Sequence, residues 1–102
     1  MTPMNGQPEH FKVTNSGQVI EEIKRARKRA LELGISAGFR AALQRIYDRL
    51  RENPRDFGEP LFDYRNSPFQ FWLAVAVPLA VQFVVHHDQR LVVIRKIIPM
   101  FE

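Results

Sequence analysis

A chain of 102 residues with 45% hydrophobic and 25% charged side chains is an ordinary single globular domain, able to bury about two thirds of its unfolded surface. It holds no cysteine, which excludes disulfides, thiolate metal ligation and a cysteine nucleophile. A formal charge of +4 and a pI near 10.0 favour contact with nucleic acid, a ribosome or an acidic protein, although a moderately basic soluble domain has the same balance.

Residues 1–10, MTPMNGQPEH, carry two prolines and a glycine without an apolar period and read as a disordered leader to a single domain over 11–102. No basic start followed by an apolar run is present, so the cytoplasm is the expected location. Phe11, Lys12, Val13 and Thr14 alternate as a short strand that Asn15-Ser16-Gly17 breaks, and this strand is expected to join a sheet formed much later in the chain.

Ser16 is placed to cap a first helix over Gln18 to Leu33. Val19, Ile20, Ile23, Ala26, Ala30 and Leu31 recur at three- and four-residue steps on one stripe, and Gly34 supplies the left-handed stop. Glu21 and Glu22 precede Lys24, Arg25, Arg27, Lys28 and Arg29, the order a helix macrodipole favours. Lys24, Arg25 and Lys28 are candidate nucleic-acid contacts, and a solvated helix face explains the same charges without a function. Ser36 is the expected cap of a second helix whose Phe39, Leu43, Ile46 and Leu50 pack against the first as an antiparallel hairpin, with Pro54 ending it. Arg55 to Ser67 reads as a connecting segment rich in turn residues.

From Asn66 to Ile98 the chain is dominated by Val, Ile, Phe, Trp and Leu, in three runs separated at Pro78 and at His87-Asp88-Gln89. The twenty residues from Asn66 to Val85 lack any charge, enough for a bilayer-spanning helix. Pro78 at the centre, the interior Gln70 and Gln82, and the equally β-branched but shorter run Leu91 to Ile98 instead favour three antiparallel strands, so no membrane span is expected. The resulting fold class is α+β: a short N-terminal strand and a helical hairpin packed on one face of a mostly antiparallel sheet that ends in a three-strand meander. Strand alternation directs Phe71, Leu73, Val81, Phe83 and Val85 to the helices, and leaves Gln70, Trp72, Ala74, Ala80, Gln82, Val84 and His86 on a smooth open face. Gln70, Trp72, Gln82 and Val84 are therefore the candidate partner-binding residues. His86 and His87 point to opposite sides and mark a turn, so neither a metal site nor a cofactor is expected.

This order of elements, with LRENPRDFGEPL from Leu50 to Leu61, PLAVQFVV and RLVVIRKI, resembles the RelE/ParE superfamily of toxins from type II toxin-antitoxin systems over Phe11 to Ile98. The resemblance implies a small basic toxin neutralised by an antitoxin protein. RelE-like members cut messenger RNA in the ribosomal decoding site with convergent basic side chains and often a tyrosine, whereas ParE-like members inhibit DNA gyrase. Metal-independent RNA cleavage needs a proton acceptor, a proton donor and cations around the phosphorane. The family's basic positions fall here on Gln70, Trp72 and Ala80, and its C-terminal pair near Met100 and Phe101, leaving Arg65, Arg95 and Lys96 as candidate catalytic cations. The resemblance therefore implies a toxin or toxin-like component acting by protein binding in the ParE manner. The alternatives are a non-toxic interaction module or homodimer of the same fold, and a ribosome-dependent endoribonuclease with a rearranged basic site.

Overall fold

The computed structural model describes residues 10–61 and 69–101, with side chains from Phe71 onward in the second segment. In chain order it contains β1 (Lys12–Asn15), α1 (Val19–Glu32), α2 (Ser36–Glu52), α3 (Pro54–Phe57), β2 (Glu59–Pro60), β3 (Phe69–Ala76), β4 (Leu79–His86) and β5 (Leu91–Pro99). The five strands form one sheet in the order β1-β5-β4-β3-β2, and α1 and α2 cover one side of it. The class is the expected α+β one. Residues 1–9 of the expected leader, Tyr64 and Arg65 lie outside the described residues, as does the side chain of Gln70. Among the described residues no helix is long and apolar enough to cross a membrane.

Helix α1 buries Val19, Ile23, Ala26 and Ala30, a stripe stepping by four, three and four. Two of the four are alanines, so α1 can lie close over β5, and the stripe is narrower than expected. Ile20 and Leu31, assigned to it from spacing, are exposed. Gly34 closes the helix at φ 74°, the left-handed geometry that favours glycine. Helix α2 buries Phe39, Ala42, Ile46 and Leu50, with Leu43 half-buried beside them. Each large side chain so buried contributes about 1.5–3 kcal/mol of transfer free energy.

Neither expected serine cap forms. Ser16 is committed to the sheet instead: its amide donates to Ile94 O at 2.9 Å and its carbonyl accepts from Val19 N at 3.1 Å. Its hydroxyl donates to Arg95 O at 3.4 Å. Gln18 occupies the position before α1 and Ile35 that before α2, with Ser36 already helical. Pro54 ends α2 and opens the short α3, where its missing N–H costs nothing at the first position.

Strand β1 runs parallel to β5, pairing Lys12 with Leu91 and Asn15 with Ile94. Phe11 is buried and its amide donates to Arg51 O at 2.8 Å, tying the chain's start to the end of α2. Tyr47 of α2 packs on the core and donates to Asn15 Oδ1 at 2.9 Å. At the opposite edge, β2 pairs Glu59 with Leu73 and Pro60 with Trp72.

The meander corrects the expected facing of one strand. Ala76 pairs with Leu79 across the two-residue turn Val77-Pro78, so every even-numbered residue of β3 stands opposite an odd-numbered residue of β4. Cross-strand partners share a face. Trp72, Ala74 and Ala76 therefore join Val81, Phe83 and Val85 under the helices, while Phe71 and Leu73 face away from them. Trp72 is only 7% exposed and stacks on Phe83 with ring centroids 6.3 Å apart, and Phe57 of α3 lies 6.4 Å from the same ring.

A second irregularity decides the fate of the two cations in β5. Gln82 pairs with Lys96 but Phe83 pairs with Ile94, so Arg95 is an extra residue without a partner on β4. This β-bulge lets Ile94 and Ile97, three apart in sequence, both enter the core. Arg95 and Lys96 are both exposed, and no cation is forced inward.

Candidate functional site

The sheet surface opposite the helices is built from three cross-strand rows. Phe71, Val84 and Val93 form one, Leu73, Gln82 and Lys96 the next, and Val75, Ala80 and Ile98 the third. Central β4 contributes the best-covered members, Val84 and Ala80, because neighbouring strands flank them on both sides. The flanking side chains are half-buried, except that Val75 is 53% exposed and Lys96 is open to solvent. Leu91 extends the apolar surface beside His86.

Gln82 is the one uncharged polar side chain in these rows and Lys96 the one charge. Gln82 carries both donors and acceptors and does not titrate, so it can orient a partner but not transfer a proton. Arg95 protrudes from the bulge beside the surface, and Lys12 lies at the same end of the sheet as Leu91. The geometry suits burial of an apolar partner surface around a single amide, with cations along the β5 side.

The candidate residues are distributed unevenly. Gln82 and Val84 lie on the open face. Trp72 does not: the two-residue turn puts it on the core side, where its Nε1 is buried without a hydrogen-bond partner among the described residues. Ala74, expected beside it, is also under the helices. Among the catalytic candidates, Arg95 and Lys96 are adjacent but belong to different parts of the bulge, and Arg65 lies outside the described residues.

The cations of α1 divide into two groups. Lys24 and Lys28 border a groove between the helices, together with Arg27, Leu31, Phe39 and Arg40. Arg25 faces the other way, into a hollow shared with Glu22, Arg29, Lys96 and Phe101. Within that hollow Glu22 Oε1 accepts a hydrogen bond from Ile97 N at 2.9 Å, occupying a backbone donor that β1, ending at Asn15, does not reach. Sequence spacing marked Arg27 as part of a charged face, but only the packing of α2 brings Arg40 to the same groove. Glu22 was read as a helix-dipole residue, and its role at the strand edge carries no local sequence signal.

No protein-family model matches the sequence, and no curated protein matches it. Solved structures do share its fold. A chain of an archaeal RelE-RelB complex from Pyrococcus horikoshii OT3 is similar at a TM-score of 0.66 and 18% identity, with 88% of this chain and 94% of that chain covered. A chain of the toxin-antitoxin complex RelBE2 from Mycobacterium tuberculosis is similar at a TM-score of 0.56 and 16% identity, over 88% of this chain and 91% of that one. The architecture is the RelE-like fold.

Proposed function

We propose that this chain, having the RelE-like toxin fold, is a toxin or toxin-like component of a toxin-antitoxin pair that acts by binding a protein through its open sheet face. The observation that carries the reading is the composition of that face: apolar rows around Gln82, with Lys96 as the charge within them. Cleaving RNA without a metal requires several cations and a proton donor and acceptor converging on one phosphate. A smooth apolar face favours burial against another protein surface. An antitoxin is the expected regulatory partner, and the ParE manner, inhibition of a protein target such as gyrase, is the expected mode of action.

The test is expression from a tightly controlled promoter in a bacterial host, following growth while mapping messenger-RNA ends and gyrase-dependent DNA breaks. The expected result is growth arrest without codon-phased RNA cuts. Leu73→Lys, which charges the row containing Gln82, relieves the arrest while the purified variant keeps its urea midpoint. Codon-phased cuts that disappear on replacing Arg95 and Lys96 by alanine would replace this reading with a ribonuclease. Normal growth at high soluble yield would replace it with a non-toxic interaction module.

A further inference from the structure

The row through Gln82 extends beyond its apolar members. Glu59 of β2 pairs with Leu73, Leu73 with Gln82 and Gln82 with Lys96. One cross-strand line therefore carries a carboxylate at the β2 edge and an ammonium at the β5 edge, on the same face and at the same height along the strands. Both end residues are exposed, and neither makes an ion pair with a described residue. Each has a neighbour of like charge. Asp56 joins Glu59 around a hollow of about 520 Å³ that Leu73 and Val75 also line, and Arg95 protrudes from the bulge beside Lys96. Arg49, whose guanidinium lies over the Phe57 ring, and Arg55 are not part of the lining of that hollow.

A line with opposite charges at its two ends is complementary to itself when turned end for end. Rotating a copy by a half-turn about an axis parallel to the strands, between β3 and β4, lays its open face on the first. Every row keeps its height and the two edges exchange. Lys96 of each copy then stands over the Glu59 hollow of the other, and the two Gln82 amides meet across the axis, each with donors and acceptors for the other. An axis along the row would instead bring Lys96 onto Lys96. We propose that a second copy of this chain occupies the open face when no other partner does, the two sheets packing face to face about this two-fold axis. This occupancy rests on the same reading of the face as a protein-docking surface. Strands β3 and β4 are each 8 residues long, so with β5 they give a patch of about 26 by 14 Å, well below the about 800 Å² per partner of a standard stable interface. The dimer is therefore weak, dependent on concentration and salt, and displaced by a partner that fills the same rows.

The test is sedimentation velocity of the purified chain over a concentration series at low and raised salt. The parent should show a monomer–dimer equilibrium in the micromolar range that moves toward monomer as salt screens the edge charges. Glu59→Lys and Lys96→Glu each put like charges at both contacts and should weaken dimerisation by about tenfold or more. An equimolar mixture of the two variants restores both contacts, so with one variant fluorescein-labelled it should form a heterodimer about as tight as the parent dimer. Both positions are exposed, so circular dichroism should show folded variants. A parent that stays monomeric, single variants that dimerise like the parent, or a mixture that associates no better than either variant alone overturns the proposal. A monomeric parent whose growth arrest is still relieved by Leu73→Lys overturns the dimer and leaves the proposed function in place. Association rescued by mixing, in a protein that does not arrest growth, supports the dimer and removes the toxin reading.

Discussion

Replacing Gly58 by alanine tests the geometry that seats β2 and α3 against the sheet. Gly58 has φ −133° and ψ −168°, extended backbone that alanine adopts freely, so the effect of the methyl group is purely one of space. A Cβ there would stand 2.6 Å from Leu73 O, 3.0 Å from Leu73 C and 3.0 Å from Ala74 Cβ, well inside the 3.4 Å at which ordinary contact begins. None of these atoms is the end of a flexible side chain. Strand β3 is held by β2 on one side and β4 on the other, so either it shifts or α3 lifts. Overpacking of this kind costs about 1–3 kcal/mol. For a domain of this length each kcal/mol moves the melting midpoint by about 4–8 °C, so the expected drop is about 5–20 °C. Gly38→Ala is the internal control: nothing lies within 4 Å of its Cβ position, and helical alanine is better than glycine by up to about 1 kcal/mol. Thermal and urea unfolding followed by circular dichroism should shift the two variants in opposite directions. A Gly58→Ala protein as stable as the parent would refute the close approach of Gly58 to β3.

Two further perturbations address the facing of β3 and the edge of β5. Trp72→Ala opens a cavity against Phe83 and should lower stability by about 3–5 kcal/mol in urea titrations. Trp72→Phe should cost much less, because it keeps a ring on Phe83 and removes an indole N–H that has no partner among the described residues; silence of both variants would return Trp72 to the solvent side. Glu22→Ala removes the acceptor of Ile97 N and should cost about 1–3 kcal/mol and promote self-association in light scattering. Glu22→Gln keeps an acceptor and should stay close to the parent, whereas equal behaviour of the two variants would dismiss the strand-edge role.

The helical half of the molecule was legible because helix periodicity is a local property. Ile23, Ala26 and Ala30, then Phe39, Ile46 and Leu50, announce their burial through spacing alone. Exposure of Ile20 and Leu31 was less legible, since the width of a buried stripe depends on what it packs against. The strands were recognisable as strands, but which face each residue takes is set by the parity of the connection. Alternation in β3 is equally consistent with either face until the two-residue turn at Val77-Pro78 fixes its partners, and that single count moves Trp72 from surface to core. The bulge at Arg95 acts similarly: two adjacent cations in an apolar strand signal some irregularity, and the backbone resolves which residue is extra. The serines failed as caps for different reasons: Ser16 is taken by sheet partners that lie far away in sequence, and Ser36 is already the first helical residue, one position past Ile35. In the candidate site, Gln82 and Val84 followed from the pattern of β4, whereas the convergence of Arg40 with Lys24 and Lys28 depends on how the hairpin closes.

The neighbourhood of β1 and β5 has a temporal consequence. Nearly eighty residues separate Lys12 from its partner Leu91, and β5, which joins β1 to the meander, leaves the ribosome after the other four strands. Until then α1 has no β5 to lie on, and Val19, Ile23, Ala26 and Ala30 stay uncovered alongside Phe11. The sheet therefore closes as a late event of synthesis, and a nascent chain lacking only its final strand offers an apolar helix and an unpaired strand to whatever is nearby. Truncations within Leu91–Pro99 should behave as aggregation-prone chains, whereas those that spare this strand should remain folded.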